Sequence, residues 1–261
     1  MNLFNRTKAL QLPFIGVLIV LSLILSLWLP RTFNADPTTP QSMDHHQFVE
    51  FIAAQADTAN IQIIQNRQQL LSLYRQFNHH RPISAFSLLW LQSLAKDYKI
   101  DNSQFKHDST WQTLIERVDI IPESLVVAQA IEESGWGTSR FAQTANNYFG
   151  QQCYSDGCGV SPQGYENASF QLRKFPDAFT SVQSYMNNLN SLGAYADFRE
   201  QRYDLRTGGK PLTGLALIDT ITSYSKRGSD YINTIRTIIS QYDLTRLDTI
   251  GLFQNQYFTY L

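Results

Sequence analysis

Residues 128–150 read AQAIEESGWGTSRFAQTANNYFG, and the fold turns on where the helix in this run stops. Pro122 suits a first helical turn, because its missing N–H would find no partner there. Leu125, Val126, Ala128, Ala130 and Ile131 continue the helix, and Gly135 is a natural C-terminal stop. Glu133 therefore falls in the last turn, near the negative end of the helix dipole. An ionised carboxylate is disfavoured there, so its pKa is expected to rise. Apolar cover from Trp136 and Phe149 would push the same way. An acid that keeps its proton near neutral pH is what protonation of a glycosidic leaving oxygen requires. Glu132 sits about 100° away on the helical wheel and reads as solvated surface, the ordinary fate of a Glu near a helix end.

Outward to the N-terminus, residues 12–29 carry no charge and are nearly continuous in apolar side chains. At about 1.5 Å per residue this run just spans a hydrocarbon core of roughly 30 Å. Arg6 and Lys8 precede it. Residues 1–11 are thus expected in the cytoplasm, 12–30 as a transmembrane anchor, and the rest exported. The competing reading is a cleaved signal peptide. Against it, the apolar run is long, and Phe33 is bulky where a small residue is wanted. Residues 31–48, with Pro37, Thr38, Thr39, Pro40 and Ser42, cannot pack a core and read as a linker.

Residues 49–115 read as a helical N-terminal layer and 116–261 as the catalytic domain. Gln62 to Phe77 places Ile63, Ile64, Leu70, Leu71, Leu73 and Tyr74 in a pattern close to an amphipathic helix. Arg81-Pro82 marks a break, Ser84 suits the cap of a second helix towards Tyr98, and 101–110 reads as a loop. The pairs His45-His46 and His79-His80 raise a metal hypothesis. Neither has a Cys or carboxylate at ligand spacing, and adjacent side chains diverge. No metal or other cofactor is implied. A net charge of −1 without a basic stripe argues against nucleic acid as partner.

Beyond Gly150 the helical period fades, and 151–174 suggests a small β-hairpin lobe. Cys153 and Cys158 are the only cysteines and enclose Asp156-Gly157, a turn signal. In an exported domain a disulfide between them is favoured over free thiols. Helices are expected from Phe175-Pro176-Asp177-Ala178 through Leu189, over Leu212 to Tyr224, and over Tyr231 to Ile239. The fold class is α+β: mainly α, with a small β lobe behind the N-terminal anchor.

The run Glu133-Ser134-Gly135-Trp136-Gly137, followed by Asn147-Tyr148-Phe149-Gly150, resembles bacterial peptidoglycan glucosaminidases of the flagellar-muramidase type. With Cys153 and Cys158 directly after, it is most similar to the Bax-type branch. The resemblance covers roughly residues 118–245. It implies a lysozyme-like, two-lobed domain and an endo-β-N-acetylglucosaminidase cutting β-1,4 bonds of the glycan strand. On that resemblance Glu133 is the general acid, while Trp136, Asn147, Tyr148, Phe149 and Gly150 line the sugar groove. Tyr224 corresponds to a tyrosine facing the acid. Glu166, in Tyr165-Glu166-Asn167, matches a second carboxylate of the flagellar branch, although its spacing to Phe175 differs. The Bax-type branch carries a Glu where Gln171 stands here. Asp156 is a further acid, already explained by its turn. Without a β-lobe acid, assistance by the substrate acetamido group replaces an inverting route.

The expected partners are peptidoglycan glycan strands and the bacterial inner membrane, with the catalytic domain in the periplasm. Two other classes stay open. One is a catalytically weak glycan-binding or scaffold module. The other is an N-acetylmuramoyl-L-alanine amidase, whose zinc ligands or Cys–His pair the sequence does not display.

Overall fold

Helix α1 (His45–Asn78) starts where Asp44 and Gln47 form a reciprocal capping box. Its buried positions, Phe48, Ile52, Ala56, Asn60, Ile63, Arg67, Leu70 and Tyr74, recur at three- and four-residue spacing and make one inward stripe. The structure is a computed structural model and describes residues 43–100, 104–162 and 169–249. The expected anchor, most of the linker and Glu166 lie outside the described residues. The last four residues assigned to the linker, His45–Phe48, form the first turn of α1. Among the described residues no helix is long and apolar enough to cross a membrane.

Helix α2 (Ala85–Asp97) begins at Ser84, whose hydroxyl accepts from the Ser87 N–H as the sequence predicts. Next come α3 (Asp108–Arg117), α4 (Glu123–Ser134) and α5 (Arg140–Ala145). Every residue of α4 from Glu123 to Ile131 is buried, so this is the central helix. α1 packs on it from one side and the last helix, α9 (Ser229–Gln241), from another.

The β lobe departs from a hairpin. Strands β1 (Gln152–Cys153), β2 (Gly159–Val160) and β3 (Gln171–Arg173) form an antiparallel sheet in the order β1-β3-β2. Leu172 pairs with Gln152 on one side and Val160 on the other. The last strand inserts between the first two because the loop closed by the Cys153–Cys158 disulfide carries the chain across. Gly159 makes this approach feasible, since a Cβ there would lie 1.9 Å from the Leu172 carbonyl oxygen.

Helix α6 (Ala178–Ser191) is capped by Asp177 and packs along α1. α7 (Ala196–Thr207) follows, where no helix is expected from the sequence. The helix predicted over Leu212 to Tyr224 is broken. Only α8 (Gly214–Leu217) is α-helical, and Ile218–Thr220 and Thr222–Tyr224 are 3-10 turns. The Thr220 hydroxyl donates to the Leu217 carbonyl, a local bond that competes with helix propagation.

Candidate active site

Gly135 ends α4 in the left-handed region, and Trp136 and Gly137 continue there, with φ of 56°, 58° and 75°. The Ser134 hydroxyl fastens the turn by accepting from the Gly137 N–H at 2.8 Å. A tryptophan at positive φ is strained, and packing offsets that strain. Its indole stacks on His45 with ring centres 3.8 Å apart and meets Phe48 and Tyr242 edge-on. Trp136 is thus a fastener between this turn and α1, away from the cavity that Glu133 lines.

That cavity, about 700 Å³, is walled by Glu133, the Phe149–Gln152 segment, Arg173 of β3, and the Tyr185–Leu189 face of α6, with Lys99, Tyr195 and Tyr224 at its edges. The half-buried Glu133 is the one carboxylate lining it among the described residues. Its neighbour Glu132 turns away and pairs with Arg227 at 2.5 Å.

Glu133 is held by a buried chain of donors. The Tyr185 hydroxyl donates to Gln129 Oε1, Gln129 Nε2 donates to the Tyr231 oxygen at 2.9 Å, and the Tyr231 hydroxyl donates to Glu133 Oε1 at 2.9 Å. Phe149 stacks on Tyr185 at 4.0 Å, and Tyr224 stacks on Tyr231 at 5.4 Å. Burial among these rings raises the Glu133 pKa, helped by the like charge of Glu132. The Tyr231 bond and Arg227 pull the other way. Burial likewise raises the tyrosines, Tyr185 and Tyr224 well above their ordinary range. They remain donors at neutral pH.

Of the residues singled out from sequence, Glu133, Phe149, Gly150 and Tyr224 meet at the cavity. Tyr224 donates to the Phe149 carbonyl at 3.2 Å, so the tyrosine bonded to the acid is Tyr231 instead. Asn147 is a loop brace: its amide donates to the Gln151 and Arg173 carbonyls and its oxygen accepts from the Gln151 N–H. Tyr148 is buried against Phe48 and Phe51 of α1. Cys153 and Cys158 are disulfide-bonded. Gln171, where the resemblance implies a Glu, accepts from the Gly159 N–H and serves the sheet. Sequence reasoning missed Gln129, Tyr185 and Tyr231. Gln129 had a signal: a lone amide within an apolar run, four residues before Glu133 and on the same helical face.

A mainly helical domain with a buried-leaning acid at a helix C-terminus in an open cleft defines a glycosidase-like class. Residues 108–244, more than half of the chain, match the Glucosaminidase family, described as mannosyl-glycoprotein endo-beta-N-acetylglucosaminidase. The chain belongs to this family of glycosidase-type hydrolases. It is 40% identical over 143 residues to Protein bax of Escherichia coli (strain K12), covering 55% of this chain and 51% of that protein. It is 29% identical over 203 residues to Exo-glucosaminidase LytG of Bacillus subtilis (strain 168), covering 72% of this chain and 70% of that one. The chain therefore spans about half the length of the first of these relatives. No solved structure gives a significant match.

Proposed function

We propose that the protein is a peptidoglycan hydrolase that cleaves β-1,4 bonds of the glycan strand in the endo mode, with Glu133 as general acid. The observation that carries this is the placement of Glu133: its side chain faces a cavity of about 700 Å³ and its pKa is raised chiefly by burial. A protonated carboxyl there can deliver its proton to the leaving oxygen. Tyr231 fixes the carboxyl, Tyr224 shapes the wall behind it, and Phe149 and Gly150 bound the sugar position.

Glu133 is the one cavity-lining carboxylate among the described residues, and Glu166, the second carboxylate the resemblance implies, lies outside them. Where Glu166 does not reach the cavity, the proposed route is attack by the substrate's own acetamido carbonyl. That group displaces the leaving sugar, and water then opens the resulting ring. The family description supports the endo mode, and the exo action in the name of the Bacillus relative is the alternative to test. Amidase chemistry draws no support from the family. The same proposal includes anchoring through residues 12–30, with the domain in the periplasm.

Glu133→Gln keeps the shape and removes the acid. Muropeptide release from purified sacculi is expected to fall by roughly 10²–10⁴-fold, with the melting temperature retained. Release at a near wild-type rate would refute the assignment. Mass spectrometry of wild-type products separates the remaining readings. Oligosaccharides ending in reducing N-acetylglucosamine support endo action, single sugars support exo action, free stem peptides an amidase, and sacculus binding without new reducing ends a scaffold.

A further inference from the structure

Apart from Glu133, the charged side chains lining the cavity are both cations, Lys99 and Arg173. They reach it from opposite parts of the chain. Lys99 follows α2, and Arg173 ends β3. Neither has an ion-pair partner among the described residues. The Lys99 ammonium lies 3.5 Å from the Asn188 amide oxygen, and the Arg173 guanidinium lies near the Phe175 ring. Burial lowers the Lys99 pKa, and the like charges of Arg173 and Arg117 lower it further. The two cations thus line one cavity and each disfavours the other's charge, with no ion pair to either among the described residues.

The backbone at Lys99 adds a second observation. Its φ of 57° places it in the left-handed region, just past the end of α2, where glycine or asparagine is the unstrained choice. The conformation is held by the Lys99 N–H donating to the Lys96 carbonyl and by Arg117 donating to the Lys99 carbonyl, each at 3.0 Å. A lysine stands where its long side chain is the costlier option for the turn but the useful one for the cavity. Lys99 also precedes the family-matched residues 108–244, so this wall is made by the N-terminal helices joining the matched domain.

We propose that Lys99 and Arg173 form an anion subsite that recognises carboxylates carried by the substrate, those of the peptide attached to the glycan, beside the sugar position at Glu133. A neutral sugar strand offers these two cations only hydroxyl and amide oxygens. A glycan bearing peptide carboxylates neutralises both and relieves their repulsion. The subsite makes the protein favour glycan whose peptide carboxylates are free over glycan whose peptide carboxylates are amidated. It deepens the hydrolase reading, yet it concerns binding and can be measured without turnover.

Calorimetry on the full chain carrying Glu133→Gln tests it, using a soluble peptidoglycan tetrasaccharide with free peptide carboxylates and the same compound with those carboxylates amidated. The carboxylate form is expected to bind about five- to tenfold more tightly at low salt, with the preference shrinking as salt rises. Adding Lys99→Met and Arg173→Met should bring the ratio of the two affinities towards one. Both side chains are exposed, so melting temperature reports whether the fold survives. Equal affinities for the two compounds in the parent, or a preference that outlasts both substitutions, overturns the subsite. If Glu133→Gln still hydrolyses the tetrasaccharide, the acid assignment fails while the affinity ratio can still be read from early binding heats.

Discussion

Hydrogen-bond direction settles what Glu133 does with its two oxygens. A glutamine amide donates only through nitrogen and accepts only through oxygen. With Tyr185 donating to Gln129 Oε1, the amide must present Nε2 to Tyr231, and the Tyr231 proton must then point at Glu133 Oε1. On the proposed acid role, Oε2 is the oxygen left to carry the proton, and it faces Gly150, where an added Cβ would lie 4.0 Å away. Gln129→Leu removes the group that orients this chain. Since the Tyr231 bond favours the ionised carboxylate, its weakening raises the Glu133 pKa further, against unchanged neighbours Glu132 and Arg227. The alkaline limb of the kcat/KM profile should move to higher pH, and kcat at the optimum should fall roughly tenfold. A lower melting temperature with an unmoved limb would reduce Gln129 to a packing residue. Glu133 was legible because its glycine stop and following motif are local features. Tyr231 was not, because the bond joining it to the acid spans 98 residues of chain and no periodicity encodes it.

Among the elements, legibility followed how plainly the buried face is apolar. The Ser84 cap and the final helix were readable on that ground. α7 was not, because its buried positions are Phe198, Arg199, Arg202 and Leu205, so arginines occupy half of the stripe that apolar residues usually mark. The start of α4 carries a comparable buried polar group. Glu123 accepts from the Asn60 amide at 2.7 Å, its second oxygen has no partner among the described residues, and burial pushes its pKa up to about 7. Asp248 and Asp57 face it and add to the rise. A carboxyl whose folded pKa lies above its unfolded value favours folding while protonated. Its contribution is lost as pH climbs from the unfolded value of about 4.5 through about 7. Glu123→Gln keeps the acceptor for Asn60 and cannot ionise. Thermal melts across pH 5–8 should show the wild type losing more stability than the variant, by roughly 2 kcal/mol over the range. Parallel curves would mean that Glu123 does not titrate in that window.

At the scale of the molecule, the N-terminal helices and the family-matched region share one apolar core, and their joint is electrostatic as well as apolar. Asp119, buried between α3 and α4, takes a two-pronged contact from Arg206 of α7 and lies 3.6 Å from Arg67 of α1. Arg67 also donates to the Ile115 and Val118 carbonyls. Arg202 donates to the carbonyls of Glu116 and Ile120 and to the Asn190 side chain. One carboxylate thus compensates three buried guanidiniums from two helices, which bind the 115–120 segment and α6 into a single joint. None of this was visible in the sequence, where no spacing or motif links an Asp to three scattered arginines. The guanidiniums hold the Asp119 pKa far below the usual carboxylate range even though burial opposes them. Its stabilisation is therefore fully present above its unfolded value near 3.8 and is lost as pH falls below that. Asp119→Asn removes the carboxylate charge from beside the buried guanidiniums at every pH. It should cost about 3–5 kcal/mol in denaturant unfolding at pH 7, and it should flatten the acid limb below about pH 4, where the wild type loses this contribution. A variant with wild-type stability at pH 7 would show that the arginines' other partners suffice without the carboxylate charge, and that the N-terminal helices are held to the domain by their apolar face.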